Sequence, residues 1–128
     1  MNKELQFIQK KIMDIQFGIL QMKENDKKES WQVRATANAD NSVNCVIKDI
    51  SLRMKLKNRN VSLIQKYKDD YLFITGKVSK EVNNGSRILS LQILKACWFV
   101  RKSTDGVAWL QEKYVYENFT TEDLEMAS

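Results

Sequence analysis

Residues 71–100 read YLFITGKVSKEVNNGSRILSLQILKACWFV, and the reading of this stretch decides the fold. β-branched and aromatic residues recur through it, and no proline interrupts it. Asn83-Asn84-Gly85-Ser86 supplies the residues that tolerate positive φ in a tight hairpin turn. Two long antiparallel strands are therefore predicted, Tyr71 to Val82 and Arg87 to Lys102. In the second, the apolar positions are Leu89, Leu91 and Ile93, then Leu94, Ala96, Trp98 and Val100, so the alternation changes parity midway. One face stays apolar across such a change only if the strand carries a bulge, and a bulged strand bends. The expectation is a strongly bent sheet.

Working outward, Ser103-Thr104-Asp105-Gly106 predicts the next turn and Val107 to Asn118 the last strand. Residues 119–128 read as an acidic flexible tail. Upstream, Val61 to Tyr67 is a strand hinged to Tyr71 by Lys68-Asp69-Asp70. Trp31, Val33, Ala35 and Ala37 alternate with polar residues, and Ala39-Asp40-Asn41-Ser42 is the turn to a partner beginning at Val43. That partner is apolar at Val43, Cys45 and Ile47 and again at Ile50, Leu52, Met54 and Leu56, which places a second bulge at Lys48-Asp49.

The N-terminal segment has a different period. Leu5, Ile8, Ile12, Ile15, Ile19 and Met22 are spaced by three or four, which predicts one amphipathic helix over 3–23, weakened at Gly18. Residues 24–30 are too polar to pack and serve as a linker, and the sheet runs from 31 to 118. The chain of 128 residues is thus expected to be one α+β domain: a long N-terminal amphipathic helix packed on a strongly bent antiparallel sheet of five to six strands. The helix seam Leu5, Ile8, Ile12, Ile15 and Ile19 either closes the core or meets a second copy, and both uses suit a wide apolar face.

The Trp98 to Tyr116 ending, with its Asp105-Gly106 turn and Trp109 in the closing strand, resembles the last hairpins of NTF2-like cone-shaped folds. The resemblance covers residues 71–118. A cystatin-like helix on a curled sheet is similar as well. Such families include enzymes, ligand carriers and assembly modules, so the resemblance implies a fold and leaves function open. What it implies as a site is a pocket inside the bent sheet, lined by residues such as Trp98, Trp109 and Tyr114.

Composition narrows the chemistry. The chain has no histidine, so the commonest general base near neutral pH and a common metal ligand are both missing. Asp69, Asp70 and Asp105 fall in predicted turns, where carboxylates stay solvated, and only Glu112 sits on a strand where burial would raise its pKa. Cys45 and Cys97 lack Cys-x-x-Cys spacing and read as two buried thiols. No catalytic residue, cofactor site or metal site is expected, and no stretch is apolar enough to span a membrane; with no export signal visible, a cytoplasmic protein is the expectation.

The formal net charge is +5. The last twelve residues hold four of the 16 acids and none of the 21 cations, so residues 1–116 carry 21 against 12, or +9. Arg53, Lys55, Lys57 and Arg59 alternate with Leu52, Met54 and Leu56, which puts four cations on one face of a strand about 7 Å apart. That spacing suits a nucleic-acid backbone, and equally an edge strand guarded against aggregation. The leading expectation is a non-enzymatic interaction or assembly module, a homodimer in its simplest form. The alternatives are a basic nucleic-acid-binding accessory protein and a small-ligand pocket.

Overall fold

A computed structural model describes residues 3–24, 27–47 and 55–117. The chain forms one short helix, α1 (Lys3–Met13), and seven strands: β1 (Phe17–Glu24), β2 (Lys27–Ala37), β3 (Ser42–Ile47), β4 (Asn60–Tyr67), β5 (Asp70–Asn84), β6 (Ser86–Thr104) and β7 (Val107–Glu117). All pairings are antiparallel, in the order β3-β2-β1-β4-β5-β6-β7, and β3 also pairs with β6. That last pairing, Ser42–Ile47 against Arg87–Gln92, closes the first six strands into a barrel.

The expected helix-on-sheet architecture is therefore wrong. The helix stops at Met13, where Asp14 N–H still bonds to the Lys10 carbonyl but Ile15 N–H turns back to Ile12. From Phe17 the chain is a barrel stave, paired with β2 along its length and with β4 over Ile19–Gln21. Hydrogen bonding on both sides overrides the local spacing, which was ambiguous: Ile8 and Ile12 point into the core from a helix, whereas Leu20 and Met22 do so from a strand. The 24–30 linker is also corrected. Glu24 ends β1 and Lys27–Ser30 begin β2, where Met22 pairs with Glu29, Lys23 with Lys28 and Glu24 with Lys27.

The parity change in β6 has a structural counterpart. Thr75 pairs with Lys95 and Gly76 with Ile93, so Leu94 is the extra residue of a bulge. The long β6 uses this bend to take two partners in turn on one side of the same sheet: its first half completes the barrel against β3, and its second half, Lys95–Thr104, carries β7. The bulge expected at Lys48-Asp49 and the acidic tail at 119–128 lie outside the described residues. Turn chemistry is as the sequence implies, with Gly85 (φ 72°) between β5 and β6 and Asp105-Gly106 (φ 52° and 78°) between β6 and β7.

Side chains fill the barrel. Leu20, Leu63, Leu72, Ile74, Val78, Leu89, Leu91 and Ile93 are fully buried, and Ile8, Ile12 and Ile15 join the same cluster. Phe7 of α1 meets Trp98 edge-on at 5.1 Å and Tyr114 at 4.8 Å, so the helix covers the inner face where β7 leaves the barrel. Lys11 lays its ammonium over Phe7, Tyr67 and Trp98, 5.2–5.5 Å from each ring centre. The aliphatic stem of this lysine covers the aromatic cluster while its charge faces the ring quadrupoles.

Candidate interaction surface

In a solvated barrel, side chains on the outer face of each stave are polar. Here they are not. Next to the buried Leu20, Leu63, Leu72 and Ala96 stand Ile19, Ile64, Phe73 and Cys97, which the alternation turns to the outer face, the first three half-buried there and Cys97 covered. Cross-strand register aligns them: Ile19 pairs with Ile64, Ile64 with Phe73, Phe73 with Cys97, and Cys97 with Val115. Directly paired residues share a face, so an apolar row crosses β1, β4, β5, β6 and β7 on the outside. Phe99 extends it, meeting Phe73 edge-on at 6.3 Å, and Tyr71 pairs with Phe99 in the adjacent row. Phe17, 59% exposed, stands at the row's β1 end beside Arg34.

The row leads into an arm. β5 begins at Asp70 and its pairing with β6 stops at Tyr71–Phe99, while β6 and β7 run on together to the Asp105-Gly106 turn. Every residue from Arg101 to Lys113 is exposed. Among the described residues, half of the exposed large apolar side chains lie on β7: Val107 (65%), Trp109 (45%), Leu110 (50%) and Val115 (44%).

A cleft of about 1270 Å³ opens where β1 and β4 part below their three paired residues. Phe17, Arg34, Val46, Ile64 and Lys66 line it, and the Gln16 N–H donates to Gln65 Oε1 (3.2 Å) at its floor. Gly18 is required at the seam, because a Cβ there would stand 2.7 Å from the Ile64 carbonyl oxygen. Among the described residues of the lining there is no carboxylate or thiol, so the cleft holds no acid/base pair.

The residues singled out from sequence are dispersed by the fold. Of the seam, Ile8, Ile12 and Ile15 are buried in the chain's own core and Ile19 sits on β1 facing out; the Leu5 side chain lies outside the described residues. Among the described residues the seam is split between α1 and β1 and forms no continuous helical stripe. Of the cationic patch, Arg53 lies outside the described residues, and Lys55, Lys57 and Arg59 occupy a loop leading into β4, all exposed. Their alternation is not a strand's: Asn58 has φ 68°, its N–H donates to the Val78 carbonyl (2.7 Å), and the Leu56 and Lys57 N–H groups donate to Glu81 Oε2 (3.1 and 3.3 Å). Glu81 also forms a nearly buried ion pair with Arg87.

Trp98, Trp109 and Tyr114 do not line one pocket. Trp98 and Tyr114 pair in register against Phe7, and Trp109 is on the arm, where its indole N–H donates to Thr104 Oγ1 (3.3 Å). Glu112 is exposed, opposite Phe99. Cys45 and Cys97 are free buried thiols. Burial pushes Cys45 up to about 12; Cys97 is raised by burial and then by the Glu112 carboxylate. Among the described residues no cluster of acids and cysteines is arranged to hold a metal ion, and no helix is long and apolar enough to cross a membrane.

The outward apolar row was missed by sequence reading. Its signal is present in β4, β5 and β6, where Ile64, Phe73 and Phe99 interrupt what alternation makes the polar face. No known family model matches the chain, and no curated protein matches it either.

Proposed function

We propose that the protein is a non-enzymatic assembly module whose docking surface is the outer apolar row and the β6–β7 arm. The supporting observation is the row itself: four outward positions in cross-strand register, Ile19, Ile64, Phe73 and Val115, are apolar where water alone would select polar residues, and the buried Cys97 links Phe73 to Val115. In sedimentation over increasing protein concentration, the wild type is expected to self-associate. The variant Ile64→Thr with Phe73→Thr is expected to weaken association by about tenfold or more, since each change removes apolar contact area at the centre of the row. A wild type that stays monomeric at every concentration counts against self-assembly.

A second reading has its own observation. Tyr71, Phe73 and Phe99 share the outer face with Lys66, Lys95 and Arg101, and Lys66 lies over the Tyr71 ring at 6.0 Å. Aromatic platforms interleaved with cations bind single-stranded nucleic acid without sequence preference. Anisotropy with a labelled single strand of about 16 nucleotides is then expected to show affinity falling steeply between about 50 and 200 mM salt. Binding that ignores salt, or none at all, would sink this reading.

A further inference from the structure

We infer that the partner of the arm is a second copy of this chain, joined by antiparallel pairing of β7 with β7 about a twofold axis. The inference rests on the assembly reading and specifies its partner and register. Among the described residues, six of the seven strands have neighbours on both sides and β7 has one only on the β6 side, so no described strand covers its other backbone edge. Beyond Phe99 the arm is a two-stranded ribbon, which is marginal in water, and three or more strands are needed for independent stability. Pairing two β7 edges turns two such ribbons into one sheet of four strands.

Charge selects the register. Glu112 and Lys113 sit side by side at the middle of β7, both exposed. An axis centred on Glu112 sets two carboxylates opposite each other, and one centred on Lys113 sets two ammonium groups opposite each other. Because Lys113 is the extra residue of a bulge, Glu112 and Lys113, and likewise Leu110 and Val115, come to one face, so an axis between Glu112 and Lys113 pairs Glu112 with the partner's Lys113 twice and sets Leu110 against the partner's Val115 twice. Opposite charges and apolar pairs stabilise when directly across, and like charges destabilise.

The bulge fits this too. Trp98 pairs with Tyr114 and Phe99 with Glu112, leaving Lys113 as the extra residue. A bulge carrying a lysine is a common device against indiscriminate edge pairing. Here an acid precedes the lysine, so a neutral strand would leave both charges unpaired, whereas one that presents the same pair in reverse order pairs them. Another β7 does so.

The test is a charge swap read by sedimentation and native mass spectrometry on the full chain. The wild type is expected to be a dimer. Glu112→Lys and Lys113→Glu, both at exposed positions, are each expected to raise the dimer Kd about tenfold, and the double variant Glu112→Lys with Lys113→Glu to restore it, because two opposite-charge pairs re-form. Unchanged thermal melting would show that all three variants fold. A dimer indifferent to the single changes but weakened by Ile64→Thr with Phe73→Thr overturns β7 pairing and leaves assembly through the outer face standing. A wild type that is monomeric at every concentration overturns β7 pairing together with self-assembly.

Discussion

Glu81→Ala is expected to cost about 3–5 kcal/mol of stability, the size usual for removing one member of a buried ion pair. The Glu81 and Arg87 side chains are each only 9% exposed and bond through Oε1, while Oε2 accepts the Leu56 and Lys57 N–H groups. One carboxylate therefore ties β5 to the start of β6 and to the loop that enters β4. Removing it leaves the guanidinium buried without that charge and frees two backbone donors. Glu81→Gln is expected to lose less, because the amide oxygen still accepts the backbone N–H groups. Glu81→Leu with Arg87→Met is expected to recover much of the loss, because neither member of the pair is then buried without the other. Urea unfolding midpoints of the four proteins check the series, and equal losses for Ala and Gln would show that the backbone donors contribute nothing.

The second large effect appears in alkali. Burial raises the Cys45 thiol from 9.0 to about 12. A folded pKa above the unfolded one means stability that is complete below about pH 9 and lost as pH rises towards 12. The slope is about 1.4 kcal/mol per pH unit, or about 4 kcal/mol across the window. Cys97 and Tyr67 are also raised, each by burial first, and add to the decline with the same sign. Cys45→Ala is expected to flatten the part due to Cys45, so the difference between wild type and variant should narrow from pH 9 to pH 12. A difference constant with pH would mean that Cys45 ionises as readily in the folded chain as in the unfolded one.

Much of the sheet was legible in the sequence. The hairpins at Gly85 and Gly106, the alternation of β2 and β3 and the bend in β6 all follow from turn chemistry and period two, which act locally. The N-terminal segment misled for a physical reason. Spacings of three and four from Ile8 to Met22 satisfy a helix, but the strand state of Phe17 to Glu24 is settled by partners at Lys27–Arg34 and Ser62–Ile64. Barrel closure is likewise invisible locally, since the outward or inward role of Val46 and Ile88 depends on β3 finding β6. The candidate surface was hidden by the assumption that an apolar residue in a strand faces the core. Tyr71 and Phe73 fit a core reading until their alternation with the buried Leu72 and Ile74 places them on the outer face.

Barrel closure also sets the kinetics of folding. β4, β5, β6 and β7 form a meander of neighbouring hairpins that can zip from their turns, whereas Ile19 must find Ile64, and Cys45 must find Leu89, across more than forty intervening residues. Loop-closure entropy makes such distant pairings late and slow. The meander should therefore assemble first and wait as an open sheet, with the free margins of β4 and β6 exposed until the N-terminal hairpin docks. A nascent chain is most vulnerable to misassociation during that wait.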